Sequence, residues 1–91
     1  MRDKQFFINS IKMDLLRVVT AVGNLNNPIP QESVNDFLTH AIKDFDKTPL
    51  DEKDEMFKKQ LITLRDRLTS INDPHKRLRW AEDVLTIRCR I

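Results

Sequence analysis

The chain contains few of the residues on which catalysis and cofactor binding usually depend. Its 91 residues include one glycine, one cysteine and two histidines. A glycine-rich phosphate-binding loop needs several glycines, so this chain cannot form one. The lone Cys89 cannot form an internal disulfide, and His40 and His75 have no local zinc-ligand spacing. We therefore expect no cofactor and no metal, and we expect that the protein is not an enzyme.

A long uninterrupted apolar run is also missing. The most apolar stretch, residues 6–22, contains Lys12, Asp14 and Arg17. A membrane-spanning helix needs about 20 consecutive, predominantly apolar residues. We expect no membrane segment and no signal peptide. Together with the single cysteine, this pattern favours a cytoplasmic protein.

The few residues that break helices lie between helical patterns. The only glycine, Gly23, and the four prolines all flank segments in which apolar residues recur at three- and four-residue spacing. This arrangement predicts one all-α domain over residues 1–91, a compact antiparallel four-helix bundle. The helices are expected at about 4–22, 30–45, 49–71 and 74–91.

The expected helix ends follow from local chemistry. Gly23 would take a left-handed conformation after the first helix, because glycine adopts it without steric cost. Thr48 and Asp73 are expected to cap the third and fourth helices, each with a proline at the first helical position.

The first three helices each have one main apolar stripe, which we expect in the core. The second helix carries Val34, Phe37, Leu38, Ala41, Ile42 and Phe45, and the third carries Leu50, Phe57, Leu61, Leu64, Leu68 and Ile71. The first helix carries Phe7, Ile8, Ile11, Leu15, Val18, Val19 and Val22, while Phe6, Met13 and Leu16 lie away from this stripe.

The fourth helix has two apolar stripes, so its core face is ambiguous. Leu78, Ala81, Leu85 and Cys89 form the first stripe, which we expect in the core. Trp80, Val84, Ile87 and Ile91 form the second, about 100° away on a helix. With Phe6, Met13 and Leu16 of the first helix, this second stripe is a candidate protein interface, and we expect a homodimer through it. The alternatives are that both stripes are buried, that Trp80 packs inside the bundle while Leu78 faces outward, or that residues 85–91, which alternate between apolar and polar, form a strand.

Acidic residues cluster at the start of the third helix. Glu52 and Glu55 resemble the first half of the metal-binding motif of all-helical nucleotide pyrophosphohydrolases, which is E-x-x-E followed by E-x-x-D. Glu82 and Asp83 come later with the wrong spacing, so the second half is missing. We interpret the cluster as charges that favour the positive end of the helix dipole.

Basic residues are concentrated in the last third of the chain. Residues 58–91 carry nine basic and four acidic side chains. Lys76, Arg79 and Arg90 share one face of the fourth helix and form a candidate anion-binding surface. The sequence thus favours a small helical protein-interaction or regulatory module that acts through its helix surfaces. The alternative is a nucleic-acid-binding protein that uses the third and fourth helices.

Overall fold

The computed structural model describes residues 3–91, and it confirms the predicted helical bundle. The four helices are α1 (Lys4–Gly23), α2 (Gln31–Phe45), α3 (Glu52–Asp66) and α4 (Pro74–Arg90). A short 3-10 turn, Leu68–Ser70, follows α3. The described residues contain no strand, and residues 85–90 are helical. No helix in this part of the chain is long and apolar enough to cross a membrane.

Aspartates begin three of the four helices. Asp3, Asp51 and Asp73 each accept a hydrogen bond from the backbone N–H three residues later. This bond satisfies an N–H that has no partner within the helix. The expected cap at Asp73, with Pro74 as the first helical residue, is confirmed.

The third helix is shorter than the sequence predicts. Its cap is Asp51 and not Thr48, because Asp51 has an extended backbone and its side chain accepts from the N–H of Asp54. At the other end, α3 stops at Asp66, and the N–H of Ser70 donates to the carbonyl of Arg67 in a tighter turn. Leu68 and Ile71 remain buried, although they lie beyond the end of α3.

Gly23 does not have the expected conformation. It is the last residue of α1, it has no positive φ, and Asn24 follows as the C-cap with a φ of −82°. The carbonyl of Val22 instead accepts hydrogen bonds from a distant side chain, Arg77. A left-handed glycine is therefore not needed to satisfy the end of α1.

The core consists of one stripe from each helix. The stripes of α2 and α3 are buried as predicted, with Phe37 and Leu50 only partly covered. In α1, Ile8, Ile11 and Leu15 are buried together with Val18 and Val22. The helices associate because this apolar surface leaves water.

The core face predicted for α4 was wrong. Trp80, Val84 and Ile87 are buried, and Ile91 packs against the core at the end of the chain. These four residues are therefore not the exposed interface expected from the sequence. The other stripe lies outside: Leu78 and Leu85 are about two-fifths exposed, Cys89 is exposed, and only Ala81 is buried. The inward face holds the tryptophan, whose indole N–H donates to the carbonyl of Leu64 at 2.8 Å.

Polar contacts show that α1 is antiparallel to both α2 and α4. Ser10 near the start of α1 donates to Asp44 near the end of α2. Arg77 at the start of α4 contacts the end of α1, and Arg88 near the end of α4 donates to the carbonyl of Lys12. The start of α1 also contacts the start of α3 through the Lys4 ammonium, 2.6 Å from Asp54. Hydrogen bonding to the Asp54 carboxylate raises the pKa of Lys4.

Arg77 is the main polar connection between α1 and α4. Its side chain is buried, and it donates to the backbone carbonyls of Val22, Asn24 and Asn27 at 2.9–3.2 Å. Two of these carbonyls lie in the loop after α1. One guanidinium therefore satisfies the end of a helix, fixes the following loop and holds both against α4.

Leu64 provides a direct measure of how much the α3 stripe contributes to the core. Because its side chain is 6% exposed, Leu64→Ala should lower the free energy of unfolding by about 2–5 kcal/mol. The matched control is Leu85→Ala on the exposed stripe, where we expect a change within about 0.5 kcal/mol. Urea denaturation of both variants measures the difference. Equal losses would contradict the assignment of the core face.

A substitution at Arg77 can separate the effect of its side-chain geometry on stability from the effect of its charge. Arg77→Lys keeps the positive charge but loses the planar fork that reaches several carbonyls at once. We expect a loss of about 2–4 kcal/mol in unfolding free energy, because hydrogen bonds from charged donors contribute about 1.5–3 kcal/mol each. Arg79→Lys, at an exposed position of the same helix, should change stability by no more than about 0.5 kcal/mol. If the two variants behaved alike, Arg77 would not be the connection that holds α1 to α4.

Candidate functional site

The outer face of α1 is unusual because it carries no charge. It is formed by Gln5, Phe6, Asn9, Met13, Leu16 and Thr20, all of which are exposed. One third of the residues in this chain are charged, and the solvent face of a helix normally carries many of them. Two charged residues of α1, Lys12 and the exposed Arg17, border this face without being among its members. A solvent-facing helix surface without charge resembles the centre of an interface, where charged residues are depleted.

The exposed stripe of α4 lies on the side of that helix nearest α1. Among the described residues, seven large hydrophobic side chains are classed as exposed, and five of them belong to α1 and α4. They are Phe6, Met13, Leu16, Leu78 and Leu85. Since Arg88 contacts Lys12 and Arg77 contacts Val22, the antiparallel pairing brings Leu85 to about the level of Leu16. The two stripes therefore overlap in their position along the axis of the bundle.

A groove of about 680 Å³ separates α3 from α4, the least closely packed pair of neighbouring helices. Its floor includes the apolar side chains Met56, Phe57, Leu64 and Ile87. Its volume lies in the range of small-molecule sites. Three acidic and three basic residues line it: Glu52, Glu55, Asp83, Lys59, Arg67 and Arg90. Because these charges balance, the lining selects neither an anionic nor a cationic ligand.

The candidate anion-binding surface is exposed but dispersed. Lys76, Arg79 and Arg90 all have exposed side chains. Eleven residues separate Arg79 from Arg90, which corresponds to about 16 Å along a helix. Asp83 falls on the same face between them, and Lys76 has a carboxylate of Asp73 at 3.9 Å. The structure does not gather these cations into one cluster.

A polar cluster that the sequence analysis missed lies between α1 and α2. Asp14 and Asp44 are buried, and His40 lies between them with Nδ1 2.5 Å and 3.5 Å from their Oδ2 atoms. The four-residue spacing of His40 and Asp44 was visible in the sequence. Asp14 was not an evident partner, because it is 26 residues away from His40 along the chain.

Comparisons with family models, with curated proteins and with solved structures gave no match to this chain. Its function must therefore be argued from the surfaces described above.

Proposed function

We propose that this protein is an interaction or regulatory module that associates with a second copy of itself through the outer face of α1, extended by Leu78, Leu85 and Cys89 of α4. The observation that carries this proposal is the exposed, uncharged face of α1 in a chain otherwise rich in charge. Large exposed apolar patches on small proteins commonly mark interaction sites.

The spacing on this face suits packing against another helix. Phe6, Asn9, Met13, Leu16 and Thr20 follow one another at intervals of three, four, three and four residues. This is the heptad spacing with which helices pack side by side. Asn9 and Thr20 are the polar residues of this series, and a polar position among apolar ones can fix the register of a helix pair.

The missing charge favours an identical partner over a different one. In a two-fold dimer the same surface patch meets itself, so any charge on it faces a like charge close to the axis. The outer face of α1 avoids this repulsion, since it has no charge to oppose. A partner of different sequence would instead gain specificity from complementary charges, which this face does not offer.

The exposed stripe of α4 makes the proposed interface wider than one helix. A stable interface usually buries about 800 Å² per partner, which is more than one short helix face offers. Leu78 and Leu85 are 43% and 40% exposed, and the antiparallel packing places them beside α1.

We further propose a cytoplasmic location, because Cys89 is an exposed free thiol that would be prone to pairing in an oxidising compartment.

The test is sedimentation equilibrium of the wild type and of a Met13→Glu variant over a concentration series. Met13 is 57% exposed, so the glutamate should not disturb the core. In the dimer it would place two like charges in an apolar interface, and we expect the variant to be monomeric with unchanged helicity and thermal stability.

Met56→Glu is the matched control, because Met56 is 46% exposed on α3 and lines the groove between α3 and α4, away from the outer face of α1. We expect this variant to remain dimeric. A wild type that is still monomeric at about 100 µM, which corresponds to only about −5.5 kcal/mol, would contradict the proposal. Dissociation by Met56→Glu alone would place the interface in the groove between α3 and α4.

Nucleic-acid binding remains the alternative proposal, supported by the exposure of Lys76, Arg79 and Arg90. Phosphate contacts make affinity fall steeply as salt rises, whereas an apolar helix interface depends little on salt. Fluorescence anisotropy with a labelled duplex over a salt series separates the two. Binding that weakens steeply with salt and is reduced by Arg79→Ala would favour this alternative.

A further inference from the structure

The cluster between α1 and α2 contains two buried carboxylates. An uncompensated charge at a buried position strongly destabilises the folded state. The side chains of Asp14 and Asp44 are 6% and 3% exposed. A buried carboxylate is stable only if other groups compensate its charge and hydrogen-bonding capacity. One oxygen of each is compensated from the rim: Asp14 Oδ1 lies 3.5 Å from Arg17, and Asp44 Oδ1 lies 3.3 Å from Lys47.

The remaining oxygens converge on one nitrogen. His40 Nδ1 lies 2.5 Å from Asp14 Oδ2 and 3.5 Å from Asp44 Oδ2, and the three atoms are all within 4.8 Å of one another. Zinc binds such nitrogen and oxygen atoms at about 2.0–2.2 Å in a tetrahedron, so its ligand atoms lie about 3.3 Å apart. The observed separations bracket this value, and small side-chain rotations would equalise them.

We propose that Asp14, His40 and Asp44 form a zinc-binding site that connects α1 to α2. The donor set of one imidazole and two carboxylates suits Zn²⁺. The two carboxylates and the imidazole supply three ligand atoms, and the ion would take the place of the hydrogen between His40 Nδ1 and Asp14 Oδ2. The site is independent of the outer face of α1, which lies on another side of the same helix.

Neighbouring groups hold the ligands in place. The Ser10 hydroxyl donates to Asp44 Oδ2 at 2.8 Å, and Arg17 and Lys47 hold the outer oxygens. Groups that orient metal ligands in this way commonly raise metal affinity. A water can complete the tetrahedron.

The ion can reach the site from solvent. The His40 side chain is 55% exposed, in contrast to the two carboxylates. The imidazole therefore forms the outer wall of the site, and its rotation would admit the ion without separating the helices. Since the ligands come from both α1 and α2, the bound ion should stabilise the packing of these two helices.

Isothermal titration calorimetry with Zn²⁺ tests the proposal. We expect one ion per chain for the wild type, together with a rise in melting temperature and, with Co²⁺, the visible absorption of a tetrahedral site. His40→Gln should lower the affinity at least about 100-fold, because even groups outside the first ligand shell are worth about 10–100-fold. His40 is half-exposed, so this variant should fold, which circular dichroism verifies.

Two control variants remove the other side chains that bind zinc well. His75→Gln and Cys89→Ser alter exposed residues outside the cluster, and both should bind Zn²⁺ like the wild type. Asp14→Asn should abolish the rise in melting temperature caused by Zn²⁺ even if it shifts the starting value. Absence of Zn²⁺ binding by the wild type, or binding that depends on His75 or Cys89 and not on His40, would overturn the proposal.

Discussion

The orientation of α4, and with it every surface of this protein, depends on the buried side chain of Arg77. Its guanidinium donates to three backbone carbonyls at and after the end of α1. Leaving those donors unpaired in the interior would cost more than a typical apolar contact provides. Arg77 points inward, and Trp80, Val84 and Ile87 on its side of the helix point inward with it. The opposite stripe, with Leu78 and Leu85, is consequently exposed.

This dependence explains which parts of the fold could be predicted from the sequence. Helix positions follow from local chemistry, such as the cap at Asp73 and the proline after it, and local chemistry is visible in the chain. The core face of α4 is not decided by local chemistry, because both of its stripes are apolar and contain four residues each. The choice between them is made by Arg77 and by the indole of Trp80, which both bond to carbonyls of other helices. Arginine is rarely buried, so a sequence pattern assigns it to solvent.

The candidate sites also differ in whether they could be recognised from the sequence alone. The outer face of α1 lies on a single helix. Phe6, Met13 and Leu16 could therefore be recognised from their spacing in the sequence alone. The cluster of Asp14, His40 and Asp44 depends on how α1 packs against α2. Its members are ordinary polar residues in sequence, and only the fold brings one carboxylate from each helix to the same imidazole. The position of Asp14 among apolar residues of α1 was a weak indication in the sequence that this residue has a polar partner. A charge within a core stripe requires such compensation.

Both proposals concern α1, which packs on α2 and α4 and leaves its remaining side to solvent. The polar cluster lies on the side toward α2, and the Arg77 and Arg88 contacts lie on the side toward α4. The outer face between them carries none of these bonds between helices. Met13 is exposed on that outer face, whereas the sides toward α2 and α4 hold the contacts of buried charged residues. The absence of charged members from this exposed face is the feature on which the proposed self-association rests.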